Sequence, residues 1–448
     1  MKKKIQLAAL VLSVILIAVS PVTAQHTMMI AFTGTGGAYE GGNPQEDQNL
    51  LTIGSYMYGM TSGGGSAGLG VIFKVKPDGT GYTKLLDFTG LSNGSRPNGS
   101  FYTDGTFLYG MTTTGGVNDL GTIFKIMPDG SGYTKLMDFA SSGTGTSPKG
   151  TLISVGTFLY GVAGSTIFKI KPDGTGFLTL TSPGAVGSLY SDGTFLYTMG
   201  GTGAGQIFKI MPDGTGYTNL MNFVPATSGG YPMGSLISDG TFLYGMTEGS
   251  TTNNGTVFKI MPDGTGYVRL HSFSGIDGRN PKGSLLLVGS DLYGMTRDGG
   301  ATNYGTIFKV TGSGTFSVVH NFAGFPGSFP NGSLISDGSF LYGMTSGGGP
   351  LGATRGTIFK YQIGPLNIKE SKSMQDVVVY PNPTSSSINI EVTEKSQITF
   401  SNAVGAIVKS SEINGHASID VSDLSEGVYV VTVSDSKTTR STSVVVKK

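Results

Sequence analysis

Two short motifs alternate along most of this chain. The first, [IV]-F-K, places Phe73, Phe124, Phe168, Phe208, Phe258, Phe308 and Phe359. The second, [LM]-Y-x-[MV], places Tyr58, Tyr109, Tyr160, Tyr197, Tyr244, Tyr293 and Tyr342. Each occurs seven times, and successive Phe residues are 51, 44, 40, 50, 50 and 51 positions apart. A period of this size constrains the fold more than any other feature. Each copy is one supersecondary unit that buries its faces only against its neighbours.

One copy shows what the unit contains. Residues 234–237, 242–247, 256–260 and 267–273 read as four strands. Ser238-Asp239-Gly240-Thr241 and Pro262-Asp263-Gly264-Thr265-Gly266 are tight turns, because Gly takes positive φ and Pro fixes its own. Residues 248–255 form a longer Gly/Asn/Thr loop. Four antiparallel strands per period of 40–50 residues is the signature of a β-propeller blade. A solenoid would need terminal caps, and the sequence offers none. The fourth strand follows the first six [IV]-F-K copies, in degenerate form at 177–180, and is missing after Phe359. Residues 28–34 (MMIAFTG) look like residues 84–90 (KLLDFTG) and supply it. The expected fold is therefore all-β: a seven-bladed β-propeller closed by the N-terminal strand, which removes the free sheet edge.

The two ends have different textures. Residues 1–24 have a basic start, an apolar run at 7–19 and a small-residue exit. That layout is a secretory signal peptide, too short in its apolar part for a membrane span, so no integral span is expected in the mature protein. After the propeller at 25–362, residues 363–375 are polar and unpatterned and read as a linker. Residues 376–448 carry seven short alternating runs, at 377–380, 387–392, 396–401, 406–409, 417–421, 428–433 and 441–447, the pattern of a small Ig-like β-sandwich.

The motifs in this last segment resemble a known family. Val378-Val379-Tyr380-Pro381-Asn382-Pro383-Thr384, then Asn402-Ala403-Val404-Gly405, then Asp420-Val421-Ser422-Asp423-Leu424 and Gly427-Val428-Tyr429-Val430-Val431 follow in the order seen in the C-terminal sorting domain of the type IX secretion system, and the chain ends on Lys447-Lys448. The resemblance implies the type IX secretion machinery as a partner. It also implies export across an outer membrane, via the periplasm, to the medium or the cell surface, with removal of this domain. The repeats themselves, through Gly121-Thr122-Ile123-Phe124-Lys125, Pro281-Lys282-Gly283-Ser284-Leu285 and Leu341-Tyr342-Gly343-Met344-Thr345, resemble a bacterial family of extracellular repeat proteins. That likeness implies a propeller and brings no catalytic residues. The fourth repeat, with Pro183-Gly184-Ala185-Val186-Gly187-Ser188, departs most from its pattern.

Composition limits the chemistry. With no Cys, there is no disulfide scaffold, thiolate zinc site or thiol nucleophile. Lys+Arg of 29 against Asp+Glu of 28, with no basic cluster, argues against a nucleic-acid surface and a polybasic membrane patch. No metal spacing, Rossmann context or nucleophile elbow is present, so no cofactor is expected. In an up-and-down blade the two tight turns share one face of the disc, and the varied loops at 112–121, 249–255, 297–305 and 346–356 share the other. Function concentrates on loops held by a rigid scaffold, so Asp119, Glu248, Arg297, Asp298, Asn303, Tyr304 and Arg355 are the expected ligand-binding residues. Other ionisable groups there are Glu40, Glu46, Asp47, Arg96, Asp277 and Arg279.

Glu248 and Asp298 follow the same strand in neighbouring repeats. They are either solvated loop acids or the weak candidates for a glycosidase pair, which needs two carboxylates about 5–10 Å apart. The Asp of P-D-G-T-G, at Asp78, Asp129, Asp173, Asp213 and Asp263, offers one carboxylate per turn and reads as a turn former rather than a calcium ligand. His271 and His320 occupy strand positions where other copies carry Leu86, Met137 or Met221. The Lys of [IV]-F-K reads as a surface charge paired with Asp87 or Asp138 across the third and fourth strands. The repeated Tyr and Phe read as core between blades. The expectation is a secreted or surface binding protein for extracellular polysaccharide or protein, with a glycan-degrading enzyme and a purely structural surface component as alternatives.

Overall fold

The computed structural model describes residues 25–45, 48–140, 143–249, 254–350, 355–363, 378–392, 395–402, 407–435 and 439–448. The expected signal peptide at 1–24, most of the expected linker, Glu46 and Asp47 lie outside them. Contacts divide the chain into two compact units, Met1–Ile363 and Gly364–Lys448.

Every regular element described is a strand. In the first unit, antiparallel sheets of four strands cover residues 51–87, 95–138, 148–181, 185–222, 232–272 and 286–321. The inner strand of the second sheet is broken into Ser95–Pro97 and Tyr102–Thr103. Residues 335–362 supply three strands of a seventh sheet, and the N-terminal strand His26–Ala31 supplies its fourth. Met28 pairs with Phe359 and Ile30 with Ile358 across that junction.

Strand composition explains the packing. Leu243, Tyr244 and Met246 are all buried although they point to both sides of their sheet, as a strand covered on both faces requires. Each sheet shares an apolar core with the next. Phe88, Leu108 and Phe124 join the first to the second, and Tyr109, Leu159 and Phe168 the second to the third. The succession continues to Tyr293, Leu341 and Phe359 between the sixth and seventh. Ile30, Phe32, Val71, Phe73 and Tyr342 then join the seventh back to the first.

The innermost strands add a polar ring. Ser100 Oγ accepts from Asn49 N at 2.7 Å, Thr151 Oγ1 from Ser100 N at 3.3 Å, and Ser188 Oγ from Thr151 N at 2.7 Å. Ser284 and Ser333 continue the pattern, and Ser333 N returns to the Gln48 carbonyl at 3.2 Å. The Gly before each hydroxyl residue lets these backbones meet. A Cβ at Gly150, where φ is +77°, would stand 2.6 Å from Ser188 Oγ and 2.9 Å from the Gly187 carbonyl carbon.

The Lys of [IV]-F-K does not pair with Asp87 or Asp138. Lys125, Lys169, Lys209 and Lys259 instead donate to the carbonyls of Pro172, Pro212, Pro262 and Gly312, each in the tight turn of the following sheet, at 2.7–3.3 Å. The Lys side chain crosses an aromatic ring to get there, as Lys125 does over Phe107. Asp87 and Asp138 are taken by Lys84 and Lys135, three residues earlier on their own strands. A β-bulge at Leu85 and at Leu136 breaks the alternation, so that the Lys and Asp three residues apart come to the same face of the strand.

The second unit has a three-stranded sheet (Val378–Tyr380, Ser387–Glu391, His416–Asp420) and a four-stranded one (Ile407–Ile413, Ser396–Ser401, Gly427–Ser434, Thr439–Val446). Ile388, Ile390, Phe400, Val431 and Val444 fill a common core. The Y-P-N-P-T segment is stitched to the last strand. Asn382 Oδ1 accepts from Val445 N at 2.9 Å, and Thr384 exchanges backbone hydrogen bonds with Val445 and Lys447.

Candidate functional site

Antiparallel order places the two tight turns of each sheet at one end of its strands. The middle loop and the sheet-to-sheet connection lie at the other end. The turn end is uniform. Asp263 Oδ1 accepts from Thr265 N and Oγ1, both at 2.8 Å, and Asp78, Asp129, Asp173 and Asp213 repeat this. These hydrogen bonds hold the exposed Asp263 carboxyl below its ordinary range. In the other turn, Asp239 Oδ2 accepts from Tyr244 Oη at 2.7 Å. The same bond joins Asp104 to Tyr109, Asp192 to Tyr197 and Asp337 to Tyr342. These tyrosines are therefore both core and hydrogen-bond donors, and the recurring D-x-x-x-x-Y spacing is the sequence signal for the bond.

The loop end varies. Arg297 donates to Asp298 Oδ2 at 2.9 Å, with its guanidinium over the Phe329 ring. Asp298 is 7 % exposed and also accepts from Asn280 Nδ2 at 3.0 Å. Asn303 Oδ1 takes Arg279 Nη2, and Tyr304 packs edge-on against Phe329. Arg297, Asp298, Asn303 and Tyr304 therefore form one cluster over the sixth and seventh sheets, with Arg279, Asn280 and Phe329 added. Glu248 pairs with Lys282 at 3.3 Å. Each of the two proposed catalytic carboxylates thus faces its own cation. Asp119 lies apart, accepting from Gly115 N at 2.7 Å within its own loop. Arg355 is exposed, with its guanidinium against Gly34. Of the four His, His271 bonds Asp277 at 2.9 Å, while His26 and His320 stack on each other at 4.3 Å. Among the described residues no group of three or more His, Asp or Glu is placed to hold a metal ion.

A further set of residues has no counterpart in the sequence reading. The residue before each inner-strand Pro has left-handed backbone: Asn43 (φ 51°), Arg96 (52°), Ser147 (50°), Tyr231 (59°), Asn280 (55°) and Phe329 (55°), with Gly184 (84°) at the corresponding place in the fourth sheet. The six non-glycine amides donate to carbonyls of the preceding sheet's middle loop, such as Arg96 N to Leu69 O at 2.8 Å and Phe329 N to Tyr304 O at 2.9 Å. Glycine adopts this conformation freely and Asn comparatively easily, while other residues there cost about 1–2 kcal/mol. Six of the seven positions nonetheless carry a side chain, of five different kinds. Backbone strain retained in this way gathers at binding sites.

The Gloeobacter/Verrucomicrobia repeat model matches residues 14–193 and 183–387. The model of the secretion system C-terminal sorting domain matches residues 378–447. No curated protein sequence matches the chain. Among solved structures, the chain is similar to the extracellular domain of BT4673 from B. thetaiotaomicron. One structure of it, described as a hybrid two-component system, is 12 % identical at a TM-score of 0.52, with 92 % of this chain and 60 % of that one covered. Another, described as a one-component system, is 13 % identical at 0.50, with 91 % and 51 % covered. PorZ, a surface component of the type IX secretion system of Porphyromonas gingivalis, aligns at 12 % identity and a TM-score of 0.36 over 90 % of this chain and 66 % of its own. The chain thus spans only about half to three fifths of the BT4673 structures. The likeness to them is one of fold.

Proposed function

We propose, for a chain that belongs to the Gloeobacter/Verrucomicrobia repeat family, a binding or adhesion role outside the cell. The type IX sorting domain at 378–447 directs the protein to the outer cell surface or the medium. Residues 1–24 are its signal peptide, 25–362 a seven-bladed β-propeller, 363–375 a linker and 376–448 an Ig-like sorting sandwich. The propeller's loop face takes an extracellular polysaccharide or protein, with Asp119, Glu248, Arg297, Asp298, Asn303, Tyr304 and Arg355 among its contacts.

The observation that carries this reading is the ring of left-handed residues. The same backbone recurs in every sheet, yet the side chains it presents are Asn, Arg, Ser, Tyr, Asn and Phe. A scaffold that needed only closure would use glycine throughout. Residues 25–362 screened against extracellular glycans and proteins test the proposal, with a turnover assay on the same glycans. Saturable binding reduced by substitutions at the loop end supports it. Binding unchanged by those substitutions, or no binding to either class, refutes it, and turnover lost on Glu248→Gln or Asp298→Asn favours the enzyme instead.

A further inference from the structure

Two cations of the loop end are neutralised by carboxylates. Arg297 has Asp298, and Lys282 has Glu248. One sector differs. Over the first three sheets a cavity of about 410 Å³ is lined by Asn43, Gln45, Arg96, Asn98, Thr114 and Lys149, among others. Its size suits a small-ligand subsite. Among the described residues its lining carries two cations and no carboxylate. Among the described residues, neither Arg96 nor Lys149 has a side-chain hydrogen bond or ion pair. The Asn98 amide oxygen is buried and also without a partner. A buried polar atom of that kind is costly unless a water or a ligand satisfies it.

Arg96 is one of the strained left-handed residues, and it is exposed. Its position is fixed by the backbone bond to Leu69, so its side chain projects from a rigid point. Lys149 also lines a second cavity, of about 350 Å³, with Ser147, Val162, Val186 and Met233. That compartment is apolar where the first is polar. The pair of cavities offers a cation-bearing pocket, short amide and hydroxyl side chains, and an adjoining apolar patch.

We infer that this sector binds an acidic glycan. The carboxylate or sulfate group of one sugar sits with Arg96 and Lys149. Asn43, Gln45, Asn98 and Thr114 meet its hydroxyls, and the apolar face or methyl substituent of the next sugar lies on Val186 and Met233. Arginine pairs with such anions through two parallel hydrogen bonds. The lining favours a saccharide over an acidic protein segment, because it has many small polar groups and no aromatic anchor of the kind that dominates protein interfaces. This inference rests on the loop end being the binding face and names the class of its ligand.

The experiment is calorimetric titration of the mature chain with uronate-bearing and with sulfated oligosaccharides. Each is paired with its carboxyl-reduced or desulfated counterpart, and an acidic peptide is included. One acidic series binds, and its neutral counterpart binds roughly tenfold or more weakly, since hydrogen bonds to charged groups are worth about that much. Which series binds identifies the anion. Affinity falls as salt is raised. Arg96→Gly and Lys149→Gln each lower affinity by about the same factor. Arg96→Gly does so at unchanged or slightly higher melting temperature, because glycine relieves the left-handed strain. Lys171→Gln, on the opposite face, leaves binding as it was.

Equal affinity for the neutral counterparts, or unchanged binding by both variants, overturns the inference. So does tighter binding of the acidic peptide. Binding that survives Arg96→Gly and Lys149→Gln but falls on Arg297→Gln leaves the loop end as the binding face and removes only this sector.

Discussion

Removal of the N-terminal strand is the severest test of how the first unit closes. Ile30 and Phe32 are 1 % and 2 % exposed, and Phe32 packs edge-on against Phe73 at 5.5 Å. Truncating a buried Phe to Ala costs about 3–5 kcal/mol, and a buried Ile about 2–5. With an unfolding entropy of about 2.1 cal/mol/K per residue over roughly 340 residues, Phe32→Ala lowers Tm by about 4–7 °C. Deleting residues 25–33 removes both side chains together, a loss of about 5–10 kcal/mol against a total stability of about 5–15. It also bares the backbone edge of Thr357–Gln362, now paired along its length with His26–Ala31. An exposed edge of that kind recruits other chains. The assay is differential scanning calorimetry with light scattering on the parent, Phe32→Ala and the deletion. The expected order is a shifted but cooperative transition for the point variant, and aggregation or loss of the transition for the deletion. A deletion that stays monomeric and melts with the parent refutes closure by this strand.

Three further expectations follow from particular residues. His26 and His320 stack with their Nε2 atoms buried and without hydrogen-bond partners, and burial pushes them down from 6.5 to about 3 and about 4. A depressed histidine stabilises the fold fully above the unfolded value and loses that contribution as pH falls toward the folded one. Tm therefore drops as pH falls from about 6.5 toward about 4, and His320→Leu flattens the drop; an unchanged slope in that variant counts against the pair. Tyr244→Phe removes the hydroxyl bonded to Asp239 and costs about 1 kcal/mol, while Asp239→Asn added to it costs little more if the bond is the cause, which a double-mutant cycle reads directly. Deleting residues 376–448 leaves the melting of the first unit unchanged and holds the protein in the periplasm, and mass spectrometry of the extracellular protein finds Lys448 missing; equal secretion of the truncated chain removes the sorting role.

Much of the architecture was legible because it recurs. Strand alternation, turn chemistry and the count of fourth strands are local properties, and the MMIAFTG copy at 28–34 stood where the last repeat lacked one. What depends on which strands abut between sheets was not legible. Lys125 could have met Asp138 on the neighbouring strand. It donates instead to the Pro172 carbonyl in the turn of the next sheet, at 3.2 Å. The same holds for Glu248, whose partner Lys282 comes from the next inner strand rather than from its own loop. Asp298 was visible as a loop acid, but its burial under Arg297 and Asn280 was not.

The left-handed ring was hidden for a different reason. A motif search finds what repeats, and at these positions only the backbone repeats. Two contacts fix that backbone, and neither involves the residue's own side chain. The amide of Arg96 is held by the Leu69 carbonyl of the preceding sheet. The proline that follows, Pro97, packs against Gly70, where a Cβ would stand 2.8 Å from the Pro97 ring. Gly121 meets Pro148 in the same way, and Gly356 meets Pro44 where the last sheet returns to the first. Neighbouring sheets thus dictate the conformation of the residue before each proline through backbone and proline contacts that do not specify its side chain. Its identity can change without disturbing closure, at a strain cost of about 1–2 kcal/mol that the rest of the sheet absorbs. Separating what holds the ring together from what it presents is what allows Asn43, Arg96 and Tyr231 to occupy equivalent points on one rigid face.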